Sequence, residues 1–195
     1  MSKIFFITGK SCTGKDTIFN EIKNNDELGL KTVVGYTTRP MRANEQNGVE
    51  YFFVNEDELS NLKKDGKVIE SRTYNTVHGK WHYFTVSDGQ IDLNKGNYLY
   101  IGTLESYVAF VEYYGRDIVV PIYVQVETGE RLERAVRRER QQTNPKYAEM
   151  CRRFLADEED FADEKTSDAG ILKRYNNVNL EECIDEIIGD IKRYI

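Results

Sequence analysis

The feature that most restricts the fold is a strongly apolar segment that runs directly into a glycine-rich turn. Residues 3–8 read KIFFIT, a β-branched and aromatic run without alternation. Such a run is typical of a strand buried on both faces, as in a parallel sheet. A turn bounded by Gly9 and Gly14 follows, and apolar side chains then recur at helical spacing up to Asn24. This strand–turn–helix order predicts an α/β protein built on a parallel sheet.

The rest of the chain continues this alternation and carries one polar insertion. A second short strand is predicted at 31–36, further buried strands at 97–102 and 117–126, and a last short strand within 170–177. Helices are predicted at 104–114, at 127–161 with a break near 141–146, and at 179–194. Residues 37–85 are more polar, and they predict hairpin strands at 51–54, 67–71 and 81–86 around a helix at 56–64.

We therefore predict a single domain with a three-layer α/β core. The core is expected to comprise residues 1–34, 86–126 and 164–195. A small antiparallel lobe at 35–85 and a polar helical lid region at 127–163 are expected to stand off it. A length of 195 residues suits one such domain.

Composition excludes several classes of protein. A net charge of −6 makes the surface repel polyanions, so we expect no nucleic-acid partner. No segment approaches the ~20 apolar residues of a membrane span, and we expect no membrane partner. Three widely spaced cysteines show no metal-ligand pattern and indicate reduced thiols. We expect a cytoplasmic protein, whose oligomeric state the sequence does not indicate.

The turn at 9–17 has the chemistry of a phosphate-binding loop. Gly9 and Gly14 flank four residues, and Lys15 follows directly. Inward-facing backbone N–H groups and a helix N-terminus form an anion-binding concavity, and Lys15 can reach outer phosphates. The preceding strand and following helix are the context that this motif requires. The expected phosphate contacts are Gly9, Lys10, Ser11, Cys12, Thr13, Gly14, Lys15, Asp16 and Thr17.

Asp16 stands where such loops usually carry serine or threonine. As a carboxylate it would be a strong anionic ligand for Mg²⁺. Alternatively, Asp16 caps the helix or neutralises Lys15, and Thr17 supplies the hydroxyl. Both interpretations remain open at this point.

A second motif lies at 35–54, GYTTRPMRANEQNGVEYFFV. Arg39 and Arg42 flank Pro40 closely, and Tyr51 follows a turn; two guanidinium groups and a phenol can hold a phosphate. This stretch resembles the GMP-binding module of the guanylate kinase family, although Asn44 replaces a glycine. The resemblance extends along nearly the whole chain.

The resemblance implies roles for further residues. Glu70 matches the glutamate that accepts hydrogen bonds from guanine. His78 and Gly79 lie where the family has Tyr-Gly, so His78 would replace a phosphate-binding tyrosine. Among the lid arginines, Arg140 and Arg153 match the family by position best, and Asn177 aligns with an asparagine near the adenine; Arg137 is a weaker match.

Three further positions depart from the family pattern. Tyr100 and Gly102 stand where the family has two aspartates serving magnesium and the guanine amino group, and Gly35 replaces a serine that contacts the base. These departures bear on base specificity more than on kinase chemistry.

The resemblance implies phosphorylation of GMP to GDP by ATP with Mg²⁺. One alternative is a kinase for another nucleoside or deoxynucleoside monophosphate. A second is a non-catalytic, guanylate-kinase-like protein-binding module, although such modules have degraded phosphate loops. A third is a regulator that hydrolyses ATP without an acceptor.

Overall fold

The computed structural model describes residues 1–76 and 79–195, which contain nine strands and seven α-helices. The strands are β1 (Ile4–Thr8), β2 (Lys31–Thr32), β3 (Tyr36–Thr37), β4 (Phe52–Phe53), β5 (Val68–Thr76), β6 (Gly79–Val86), β7 (Tyr98–Ile101), β8 (Val119–Gln125) and β9 (Arg174–Asn176). The helices are α1 (Lys15–Lys23), α2 (Glu56–Lys64), α3 (Leu104–Tyr114), α4 (Thr128–Arg140), α5 (Tyr147–Asp160), α6 (Asp163–Asp168) and α7 (Leu180–Ile191), and a 3₁₀ turn spans Asp26–Leu28.

The larger sheet is fully parallel, with strand order β2-β7-β1-β8-β9. All five residues of the central strand β1 are buried, because helices cover both faces of the sheet. Phe6 packs with α3 on one face, whereas Phe5 and Ile7 pack with α1 and α7 on the other. The predicted three-layer α/β core is confirmed.

The smaller sheet has strand order β4-β3-β6-β5. Two of its pairings, β3–β6 and β5–β6, are antiparallel, and β4 runs parallel to β3. Helix α2 covers this sheet by packing Leu59 against Phe84 and Val86. The sequence is therefore correct about a separate polar lobe, but β4 is not part of a hairpin.

The segment predicted as one strand at 31–36 is two strands in different sheets. Residues Lys31 and Thr32 pair with β7 in the larger sheet, and Tyr36 and Thr37 pair with β6 in the smaller one. The chain changes sheets between them, at Val33–Gly35. An apolar run has the same sequence pattern in either sheet, so composition alone could not predict that the chain changes sheets here.

The helical region after β8 is broken where Asn144-Pro145 predicts, between the end of α4 at Arg140 and the start of α5 at Tyr147. The short helix α6 was not predicted. Within residues 1–76 and 79–195, none of the helices combines the length and the apolar character needed to cross a membrane.

Candidate functional site

The loop between β1 and α1 has a backbone that only glycine accommodates at two positions. Gly9 and Gly14 have φ angles of 149° and 86°. A Cβ atom on Gly9 would lie 2.3 Å from the Val124 carbonyl oxygen, and one on Gly14 would lie 2.3 Å from Asn177 Nδ2. The loop therefore owes its shape to these glycines and to close contact with Val124 of β8 and with Asn177, which follows β9.

Asn177 supports the loop from behind. Its buried side chain donates a hydrogen bond through Nδ2 to the Thr13 carbonyl oxygen at 2.8 Å. The Thr13 hydroxyl in turn donates to the Lys10 carbonyl oxygen at 2.9 Å. The resemblance implies a place near adenine for Asn177, and the structure adds a direct role in holding the loop backbone.

The loop opens into a cleft of about 760 Å³ between the two sheets. Lys15 and Asp16 lie on its core side, with Nζ and Oδ2 3.9 Å apart. Tyr51, Tyr74 and Tyr83 line the opposite side, together with Arg72. The structure thus places Lys15 and Tyr51, two predicted site residues, in one cleft. Thr17 is exposed and is not among the residues that line it.

Two carboxylates of α5 contact the glycine loop at 9–14. The Ser11 backbone N–H donates to Asp157 Oδ2 at 2.7 Å. Glu158 accepts a hydrogen bond from Lys10 Nζ at 2.8 Å. The loop amide of Ser11, which is suited to bind a phosphate oxygen, is therefore occupied by a side-chain carboxylate.

Arg131 ties α4 and α5 to this loop. Its side chain is only 1% exposed, and the guanidinium carbon lies 3.7 Å from the centre of the Phe154 ring. It forms ion pairs with Asp157 and Glu158, and it donates to the Ser11 carbonyl oxygen at 3.3 Å. A buried charge needs such partners. This arginine is a structural element of the lid–loop contact.

The predicted lid arginines have different positions. Arg153 lines a small cavity beside the loop with Lys15 and Asp16, and Arg138 lines it too. Arg140 is exposed at the end of α4 and is not among the residues lining either cavity. The structure therefore brings Arg153 and Arg138 close to the loop, but not Arg140.

Within the 35–54 module, Arg39 is paired inside the lobe. Its guanidinium makes two hydrogen bonds of 2.8 Å to Glu45 and lies over the Tyr51 and Phe53 rings. Hydrogen bonding to Arg39 lowers the pKa of Glu45 to about 2. The Arg42 backbone N–H also donates to Glu45, at 2.8 Å, while the residue is exposed. Neither Arg39 nor Arg42 lines the cleft in this conformation.

Glu70 lies at the centre of a buried polar network. Arg72 donates to its two carboxylate oxygens from Nε at 3.0 Å and from Nη2 at 3.3 Å. The Thr85 hydroxyl donates to Glu70 Oε1 at 2.8 Å and lies 2.7 Å from the Tyr100 hydroxyl. Because Thr85 has one hydroxyl hydrogen, Tyr100 is the donor in that contact. Burial raises the pKa of Tyr100 to about 12, so this hydroxyl keeps its proton.

The other departures fit around this network. A Cβ on Gly35 would lie 3.6 Å from the Tyr100 hydroxyl oxygen, so the phenol occupies space beside Gly35. A Cβ on Gly102 would approach Phe6 Cζ to 2.7 Å, which leaves no room for a larger residue. Gly79 begins β6 opposite Thr76. His78 lies outside the described residues.

Sequence reasoning missed Arg72 and Asp157. Arg72 could have been found, because residues i and i+2 of a strand share a face and Glu70 is two residues away. Asp157 is 146 residues from Ser11 in the chain, and no local pattern indicates their contact.

Comparison with known proteins identifies the family. The model of the guanylate kinase family matches residues 1–101, more than half of the chain. A guanylate kinase of Malacoplasma penetrans is 43% identical over 68 residues, which are 35% of this chain and 35% of that relative. A guanylate kinase of Mycoplasmopsis synoviae is 34% identical over 101 residues, covering 51% of this chain and 50% of the relative. These alignments thus span half or less of the relatives' length.

The likeness of fold covers the whole chain. The crystal structure of guanylate kinase from Anaplasma phagocytophilum superposes with a TM-score of 0.68 over 99% of this chain and 86% of that chain, at 20% sequence identity. The fold is therefore shared well beyond the segment in which the sequences align. On the family match over residues 1–101, this chain belongs to the guanylate kinase family.

Proposed function

We propose that this protein transfers a phosphoryl group from ATP to GMP, giving ADP and GDP. The observation that carries the proposal is one cleft of about 760 Å³ that joins the phosphate loop to the aromatic side of the small lobe. A cleft of this size suits ligands such as nucleotides. Membership of the guanylate kinase family supports the same reaction.

The donor nucleotide is proposed to bind at the loop. The backbone N–H groups of residues 9–17 and the Lys15 ammonium hold the ATP phosphates. Asn177 keeps the loop in shape through its hydrogen bond to Thr13. Asp157 must then release the Ser11 N–H, because a phosphate oxygen and this carboxylate compete for one donor.

The site is also compatible with Mg²⁺. Asp16 offers a hard carboxylate oxygen at the cleft beside Lys15, and Mg²⁺ is commonly held by one or two carboxylates plus substrate phosphates. The described residues contain no group of three or more His, Cys, Asp and Glu side chains that could hold a metal alone. When bound with ATP, the ion would neutralise charge on the phosphates.

The acceptor is proposed to lie against the small lobe. Tyr51 faces the cleft, and Arg39 and Arg42 lie on the adjoining loop, where Glu45 orders them. We propose that the lobe at 35–85 and the lid at 127–163 close on the core, which brings the arginines of both to the phosphates. Gly79 would contribute from the start of β6.

Catalysis in this scheme rests on positioning and charge neutralisation. The acceptor phosphate oxygen attacks the γ-phosphorus, the bond to the β-phosphate oxygen breaks, and ADP leaves. Lys15 and Arg153 balance the charge on the transferred group, Arg138 lies beside the same loop, and Arg140 would join them only after the lid closes. Closure excludes water, which would otherwise hydrolyse ATP.

A coupled assay of ADP formation with GMP, dGMP, AMP, CMP and UMP tests the proposal. We expect turnover that depends on GMP, and its loss by more than about a hundredfold in Lys15→Ala. ADP formation that is indifferent to every monophosphate would indicate an ATPase instead. No ADP formation with any of them would favour a non-catalytic module.

A further inference from the structure

Arg72 donates hydrogen bonds to both oxygens of the Glu70 carboxylate, which a guanine base would need as its acceptor. Guanine presents two adjacent donors, N1–H and N2–H, and a carboxylate reads them with one oxygen each. In this chain Glu70 Oε1 already accepts from Arg72 Nη2 and from Thr85, and Oε2 accepts from Arg72 Nε. The forked geometry of the guanidinium matches the carboxylate in the manner of a bidentate pair.

This pair is buried and held on several sides. The Glu70 side chain is 4% exposed and that of Arg72 is 15% exposed. Separating them would leave a carboxylate in a nearly water-free site with Thr85 as its remaining hydrogen-bond donor in the described contacts. The pair is therefore a fixed part of the pocket wall, and an incoming base meets it as a unit.

The unit presents donors to the cleft. A guanidinium carries five N–H donors. Two of them bind Glu70, and a further hydrogen bond joins Arg72 to the Tyr74 hydroxyl, so the remaining donors are those that a base can reach. Arg72 lines the cleft, whereas Glu70 is not among its lining residues. Tyr74 and Tyr83 stand beside it as an aromatic wall, with ring centres 5.6 Å apart in an edge-to-face arrangement. A base stacked on this wall would meet the guanidinium at its edge.

We propose that Arg72 determines acceptor specificity by reading keto oxygens of the base in place of Glu70. This inference rests on the proposed nucleotide kinase function. Arginine pairs well with the O6 and N7 acceptors of guanine. Hypoxanthine has the same two acceptors and lacks only the 2-amino group. The 6-amino group of adenine would place donor against donor.

The acceptor class is accordingly a 6-oxopurine monophosphate, with no recognition of the 2-amino group. GMP and IMP should be used with similar efficiency, and AMP poorly. Loss of a specific bidentate contact changes base discrimination by at least about fivefold. We therefore expect kcat/KM for GMP and IMP to agree within about fivefold, and kcat/KM for AMP to be lower by more than that.

The test is kcat/KM for GMP, IMP and AMP with the wild-type protein, Arg72→Ala and Arg72→Lys. In Arg72→Ala the freed Glu70 can pair with N1–H and N2–H, so the GMP/IMP ratio should rise at least about fivefold. Arg72→Lys keeps a positive charge beside Glu70 but lacks the paired N–H donors of the guanidinium. This variant should therefore lose much of the preference for GMP over AMP. Arg193→Ala removes an exposed arginine that is not among the residues lining the cleft, and it should leave all three values unchanged.

A wild-type GMP/IMP ratio above about fivefold would overturn the inference, as would a ratio unchanged in Arg72→Ala. Thermal melting shows whether Arg72→Ala folds; if it does not, Arg72→Lys decides. No turnover with any monophosphate would refute the proposed function itself. In that case the inference is tested by equilibrium binding to the wild-type protein. The dissociation constants of GMP and IMP should agree within about fivefold. A larger difference, or no binding of either nucleotide, would overturn the inference about Arg72.

Discussion

The contact of Asp157 with the phosphate loop predicts that this carboxylate weakens ATP binding. Its Oδ2 accepts from the Ser11 N–H at 2.7 Å, and a bound phosphate would need that donor. A hydrogen bond to a charged group contributes about 1.5–3 kcal/mol. Because the Asp157 side chain is 18% exposed, we take the lower end of this range. Asp157→Ala should therefore tighten ATP binding by about tenfold, which corresponds to about 1.4 kcal/mol.

Isothermal titration calorimetry with a non-hydrolysable ATP analogue, with and without Mg²⁺, measures this effect. Glu159→Ala is the matched control, because it removes an exposed carboxylate from the same helix. An affinity equal to that of the wild-type protein would refute competition between Asp157 and phosphate. Weaker binding confined to the magnesium-containing titration would instead make Asp157 a metal ligand, and the reasoning would fail for that reason.

Three further changes have definite expected results. Asp16→Ala should reduce the magnesium dependence of turnover if Asp16 serves the metal; unchanged dependence in a magnesium titration would exclude that role. Hydrogen bonding to Arg39 holds the pKa of Glu45 at about 2, below the ordinary value of 4.5. The Glu45 carboxylate therefore stabilises the fold fully above pH 4.5, and this stabilisation is lost as the pH falls towards 2. Glu45→Gln should therefore lower the melting temperature at pH 7 but hardly near pH 2. Gly102→Ala should destabilise the fold by about 1–3 kcal/mol through contact with Phe6, and Phe6→Leu should relieve part of that cost in a double-mutant cycle followed by denaturant unfolding.

The parts of the fold that follow from local pattern were predictable. β1, the glycine loop and α1 are contiguous, and each has a local signature in burial, turn chemistry or helical spacing. The assignment of residues 31–36 to one strand was wrong because the two halves pair with different partners. Pairing is a non-local property, and a short apolar run carries no information about it.

The same distinction applies to the site. Lys15 and Tyr51 reach one cleft, as motif spacing and the family resemblance together indicate. The partners that occupy functional groups could not be predicted in this way. Asp157 contacts the loop from a helix that is far from it in the chain, 146 residues after Ser11. Arg39 is paired with Glu45 across a turn whose shape could not be predicted from the sequence. The sequence predicted the candidate site residues, and tertiary contacts determine which of them line the cleft.

Tyr100, one of the departures from the family pattern, is tied to Arg72 through the network around Glu70, so the two should be changed together. Tyr100 donates to Thr85, which donates to Glu70, and its ring stacks on Phe110 with centres 4.7 Å apart. Replacing Tyr100 by aspartate alone would set a second carboxylate beside buried Glu70 and remove the donor to Thr85. Like charges at such a distance disfavour ionisation of both groups. With Arg72 still on Glu70, that change would supply a new acceptor without freeing the old one. The effects of Tyr100→Asp and Arg72→Ala on the GMP/IMP ratio should therefore be non-additive, because both act on one hydrogen-bonded carboxylate.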